Sequence, residues 1–152
     1  CHEDVQRLLD LDLLSEGAVV MATQVLKPGA PLLTWQLSQL AKVGGCDLDL
    51  FSSPDCGCPL MEDWVLRAKM KRRIEGWQPA APPKAISQLA VECGLMRWRT
   101  AQGMVNEKRW NGFVQRVRCM LAEEGIECTS ESKWDKDQLQ RARSSKYAPL
   151  DY

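Results

Sequence analysis

Positive side chains are the groups in this chain best placed to do chemistry, and they fall into two clusters. Arg67, Lys69, Lys71, Arg72 and Arg73 lie close together, and Arg97, Arg99, Arg109, Arg116 and Arg118 follow, interleaved with Asn111 and Gln115. Guanidinium and ammonium groups neutralise phosphates and release counterions, while Arg, Asn and Gln on a groove-facing helix read base edges. The candidate nucleic-acid contacts are therefore Arg67, Lys71, Arg72, Arg97, Arg99, Arg109, Asn111, Gln115, Arg116 and Arg118. A formal net charge of zero hides an asymmetry behind them. Residues 1–60 hold three Lys/Arg against eight Asp/Glu, whereas residues 64–118 hold twelve against three. A local field of that sign attracts phosphates or an acidic partner.

Other chemistries find less support. The single histidine, His2, leaves no ready Ser-His-Asp or Cys-His arrangement. There is neither a P-loop nor a G-x-G-x-x-G dinucleotide fingerprint, and Asp47 and Asp49 alone do not build a phosphoryl-transfer site. The chain is thus read as having no enzymatic activity and no cofactor. Zinc is the one competing cofactor, with Cys46, Cys56 and Cys58 as candidate ligands. Their C-x9-C-x-C spacing lacks the second close pair that a tetrahedral four-ligand site uses. Seven cysteines without regular disulfide spacing point to a reducing compartment, nucleus or cytoplasm. Trp64, Trp77, Trp98 and Trp110 are interleaved with the basic residues. At helical spacing they read first as core, and only second as platforms for unpaired bases.

The elements that must position these groups read as helical. Apolar residues recur with helical period over about 3–14 and 16–26, and Lys27-Pro28-Gly29 ends the second of these helices. A third helix is expected over 32–43, stopped by Gly44-Gly45. A cysteine-containing loop over 44–58 follows, then a helix from Pro59 to about Gly76 that carries the first basic cluster. Gln78 to Pro83 is a stiff connector and a subdomain boundary. Beyond it three patterns follow, Ala85–Cys93, Arg97 to about Asn106 and Trp110–Glu124, separated by breaks at Gly94 and after Asn106. A last helix over about 133–143 and an extended tail over 146–152 complete the chain.

The stretch from Pro83 to Glu127, with Ala90 small at a helix crossing, Gly94 at the turn and Leu95 as the anchor beyond it, resembles the helix-turn-helix and winged-helix superfamily. The resemblance implies a DNA-binding role. It leaves two helices as the one that enters a groove, Arg97–Asn106 or Trp110–Glu124. A second stretch, VLKPGAPLLTW, resembles the helix, K-P-G-G turn and strand found late in Rossmann-like methyltransferases, where the turn leads into a sheet strand; here Ala30 replaces the second Gly.

Taken together the residues give a mainly α protein, a small helical bundle with a helix-turn-helix or winged-helix-like C-terminal unit. Residues 1–77 form an N-terminal helical subdomain, 83–145 the helix-turn-helix-like subdomain and 146–152 a tail. The expected function is a nucleic-acid-binding, DNA-binding module of a nuclear or cytoplasmic regulatory protein. The alternative is a helical protein–protein interaction domain in a larger assembly, with a protein partner or a homodimer contact. No apolar run approaches the roughly 20 residues that span a bilayer, so no membrane partner is expected. The chain opens on Cys1 rather than methionine, which reads as either a fragment or a chain whose start lies further upstream, and no secretory signal is visible.

Overall fold

In the computed structural model, which describes residues 2–54, 61–72 and 74–128, helices and strands are interspersed along the chain. The order is α1 (His2–Asp10), β1 (Val19–Ala22), one turn of π-helix (Val25–Gly29), α2 (Pro31–Lys42), β2 (Cys46–Pro54), β3 (Glu62–Met70), α3 (Lys84–Ala101) and α4 (Glu107–Glu123). The fold is α+β, which corrects the mainly α, all-helical bundle expected from the sequence. The expected last helix over 133–143 and tail over 146–152 lie outside the described residues.

The helix expected over 59–76 is where the correction is largest. Trp64, Leu66, Ala68 and Met70 are buried while Arg67 and Lys69 are exposed, the two-residue period of a strand with one wet face. Leu66, Met70 and Ile74, at i, i+4 and i+8, also fit a helical stripe, but a helix would turn Trp64 and Ala68 to its other side, and their burial together with Leu66 decides for the strand. The same alternation turns most of the expected loop over 44–58 into β2, with Cys46 and Leu50 buried and Asp47 exposed. The helix expected over 16–26 gives way to β1 and the start of the π-helical turn.

The sheet order is β1-β3-β2, antiparallel at both contacts, so β1 and β2 run in the same direction with the reversed β3 between them. On its outer face Lys69 lies between Val19 and Asp47, and Arg67 between Met21 and Asp49. The inner face, with α2, α3 and α4, encloses one continuous core in which Leu37, Trp64, Leu66, Ile86, Leu89 and Trp110 have no exposed surface. That core spans the connector over 78–83, and the Trp35 indole N–H donates to the Ala80 carbonyl within it, 3.2 Å away.

Lys27-Pro28-Gly29 closes the π-helical turn and runs into α2, which begins at Pro31. The methyltransferase resemblance implies a strand after this turn. Here a helix follows it and a strand precedes it. Gly29 has φ +89, and a Cβ there would fall 2.4 Å from Cβ of Cys93 on α3, so the turn and α3 approach as closely as glycine allows.

α3 is a single helix. Ile86, Leu89, Cys93 and Met96 keep one buried stripe running through the exposed Gly94, so packing on both sides carries the helix past a residue that costs about 1 kcal/mol in a helix interior. The break expected at Gly94, and with it the separation of the first two helices of a helix-turn-helix unit, is absent. The turn falls instead at Gly103, φ +66, and the Asn106 side chain then caps α4 by accepting from the Arg109 amide at 2.9 Å. Trp110, Phe113, Val114, Val117 and Leu121 are the buried face of α4. Among the described residues no helix is long and apolar enough to cross a membrane.

Candidate functional site

The ten positions singled out for phosphate contact do not form one face. Arg67 lies on the outer face of the sheet, where its Nε and Nη2 donate to Oδ2 of Asp49 at 2.9 and 2.6 Å. Lys71, just past β3, pairs with Asp47 at 2.6 Å, and Arg72 donates to the Val43 carbonyl at 3.0 Å. These two aspartates come from the acidic first part of the chain, and the sheet register sets them against the cations. On the helical side, Arg116 pairs with Glu92 of α3 at 3.3 Å. Arg118 turns inward to bind Glu62 and the Cys128 carbonyl, with its guanidinium 5.2 Å from the Trp64 ring centre. Arg67, Lys71, Arg116 and Arg118 are thus each opposed by a carboxylate.

Arg97, Arg99, Arg109, Asn111 and Gln115 are exposed. Arg109 sits in the first turn of α4 and donates to the Met104 carbonyl at 3.0 Å. Arg97 and Arg99, in the last turns of α3, have no carboxylate partner among the described residues. With Lys108 and Arg109 they surround the α3–α4 corner, where Glu107 is the one acidic residue between positions 97 and 109.

A feature of α3 that the sequence reading did not select lies beside them. Val91, Leu95 and Trp98 occur at i, i+4 and i+7, and are 65, 49 and 58 % exposed. They form an apolar stripe on the side of α3 turned away from Ile86, Leu89, Cys93 and Met96. The spacing was present in the sequence, but Leu95 read as the anchor after a turn and Trp98 as a core residue. Trp64 and Trp110 are fully buried, and Trp98 is the exception. The surface is therefore a narrow apolar ridge with cations at its C-terminal end.

Among the described residues the cysteines do not gather into an alternative centre. Cys46, expected in a loop, is buried on the inner side of β2 with its thiol 3.6 Å from the Leu37 carbonyl, and burial pushes that thiol up to about 11. Burial, with a smaller contribution from Glu92, pushes Cys93 up to about 12. Neither is a ready thiolate ligand or nucleophile. Cys56 and Cys58 lie outside the described residues, and among those described there is no group of three or more His, Cys, Asp and Glu side chains that could hold a metal ion. Comparison with protein-family models, with curated proteins and with solved structures gives no match.

Proposed function

We propose that this chain is a protein-interaction module whose docking surface is the outer side of α3, and that its partner is an amphipathic helix with acidic flanks. The observation that carries the reading is the exposed stripe Val91, Leu95 and Trp98. Apolar residues at i, i+4 and i+7 are the pattern one helix uses to pack along another, and a large exposed Trp is the residue type most enriched where binding energy concentrates. The partner's acidic character follows from Arg97, Arg99 and Lys108, cations at the end of the stripe that have no carboxylate partner among the described residues. Pairing four of the eight candidate cations internally removes much of the field on which a phosphate-binding face depends, and favours this reading over nucleic acid.

A second reading keeps one observation of its own. Trp98 stands between Arg97 and Arg99 on the surface, the combination on which unpaired bases stack while their phosphates are neutralised. Fluorescence anisotropy separates the two. Three probes are titrated in parallel: a labelled peptide with leucines at i, i+4 and i+7 on a glutamate-rich helix, the same composition scrambled, and a single-stranded oligouridine. Binding of the patterned peptide alone, lost in Trp98→Ala, supports the docking module. Binding of the oligouridine alone, falling steeply with salt, transfers the site to nucleic acid. Equal binding of patterned and scrambled peptides refutes the docking surface.

A further inference from the structure

Among the described residues the outer edge of β1 carries no further strand, and it is a second surface, independent of α3, that presents main chain rather than side chains. Met70 donates its N–H to the Ala18 carbonyl at 2.8 Å, which fixes the phase of the antiparallel ladder between β1 and β3. In such a ladder hydrogen-bonded pairs alternate with pairs whose N–H and C=O point away from each other. Val20 and Ala22 therefore bond to Ala68 and Leu66, and the backbone groups of Val19 and Met21 point outward from the sheet. No backbone hydrogen bond reaches Val19 or Met21 from outside the sheet among the described residues. Their side chains are also 53 and 61 % exposed on the outer face. A bulge precedes the strand, where Gly17 donates to the Met70 carbonyl while Met70 donates to Ala18, but the four residues of β1 itself carry no proline and no charge, so their outward donors and acceptors stay open to an added strand.

Side chains next to the edge narrow the choice of occupant. On the outer face Lys69 is the register partner of both Val19 and Asp47, but Asp47 bonds Lys71. Lys69 is exposed and has no carboxylate partner among the described residues. A glutamate on an added strand, lying beside Val19, can run its methylenes over that side chain and bring its carboxylate to Lys69. On the inner face the half-buried Val20 and Ala22 call for apolar neighbours. A second copy of this chain brings only Val19, Val20, Met21 and Ala22 to the same place, with no carboxylate to meet Lys69.

We propose that the edge of β1 binds an extended segment of a different polypeptide by strand addition, with apolar residues turned to the inner face and glutamates to the outer. Main-chain bonds to Val19 and Met21 supply affinity, and Lys69 selects the acidic pattern.

The test uses the whole chain, isotopically labelled, and an acetylated seven-residue peptide of sequence TVEVEVT. The proposal expects the amide resonances of Val19 and Met21 to shift on titration and their hydrogen exchange to slow. Met21→Pro removes one outward donor at an edge position that tolerates proline, so the inner ladder stays intact. It is expected to weaken binding about tenfold, the cost of losing one hydrogen bond and misplacing the next. Lys69→Glu is expected to reverse the preference between this peptide and its lysine analogue TVKVKVT. Trp98→Ala leaves the peptide affinity unchanged, which keeps this surface separate from α3. The proposal is overturned if the shifts fall on residues away from β1, if Met21→Pro binds as the parent chain does, or if a backbone-methylated peptide binds equally well. A concentration-dependent dimer abolished by Met21→Pro also overturns it, by making a second copy the occupant.

Discussion

Arg118 of α4 reaches the carboxylate of Glu62 at the start of β3, and this pair ties α4 to the central strand. Both side chains are more than two-thirds buried. Around them the Trp64 indole N–H donates to the same carboxylate oxygen at 2.7 Å, the Arg118 guanidinium lies over the Trp64 ring, and the Trp110 indole N–H donates to the Glu62 carbonyl at 2.7 Å. A paired, part-buried charge with these added bonds is costly to break from one side, because the remaining partner stays desolvated. Arg118→Met is expected to lower stability in urea by about 2 kcal/mol. Arg118→Lys is expected to recover less than half, since an ammonium lacks the planar fork that meets Glu62 and Cys128 while covering the ring. A loss indistinguishable from that of an exposed substitution such as Arg97→Met would show that the pair does not hold the helix.

Gly29 and Cys93 make the second junction, between the π-helical turn and α3. Gly29→Ala meets two penalties, a left-handed backbone that disfavours any Cβ and a contact of 2.4 Å with Cys93 Cβ that neither side can relieve by a rotamer change. The expected loss is about 2–4 kcal/mol, read as a lower denaturant midpoint with an unchanged slope. Gly76→Ala is the control, because it shares a positive φ but would place its Cβ in open space. Its loss should be about 1 kcal/mol.

These junctions were not legible in the sequence, while several of their components were. The bodies of α2 and α4 were legible, as helices over 32–43 and 110–124, because the stripe Trp110, Phe113, Val114, Val117 and Leu121 has one period, but Asn106, read as the end of the helix before it, is the cap of α4. β3 was read as a helix because Leu66, Met70 and Ile74 recur every four residues, and its basic residues resemble a solvated helix face. Only the sheet shows that Arg67 and Lys71 face Asp49 and Asp47, residues about 20 positions away that sequence spacing does not connect. Gly94 has the propensity of a helix end, yet burial of Cys93 and Met96 on one face overrides it. The exposed stripe on α3 was hidden for a related reason. An apolar triplet at helical spacing is usually core, and only the packing of the opposite face shows that this one is not.

The thiols predict a pH dependence. In the folded chain burial holds Cys46 near 11 and Cys93 near 12, against 9.0 for an unperturbed thiol. Below about pH 9 both states keep their thiol protons, so the contribution to stability is fully present. Above it the unfolded chain releases protons that the folded chain retains, and stability falls as pH rises from about 9 towards 12. Replacing Cys93 with Ala should flatten that part of the profile. At neutral pH, alkylation mapped by mass spectrometry should mark the exposed Cys119 first and reach Cys46 and Cys93 only on unfolding. Rapid native labelling of Cys93 would contradict the packing of α3 on the π-helical turn.

The two tryptophans Trp98 and Trp110 separate binding from folding. Trp110 has no exposed surface and anchors α4 through its bond to Glu62, so Trp110→Ala should cost about 3–5 kcal/mol and leave little folded protein. Trp98 is 58 % exposed on the far side of α3, and Trp98→Ala should change stability by no more than about 0.5 kcal/mol. Docking of the glutamate-rich helical peptide should nevertheless fall at least about tenfold in that variant, as truncation of an interface tryptophan ordinarily costs well over 1 kcal/mol. Adding Leu95→Ala should deepen the loss without affecting the fold, because Leu95 and Trp98 lie one turn apart on one ridge. If Trp98→Ala instead destabilises the chain as strongly as a core substitution, the ridge is packed in solution and α3 has no free outer face.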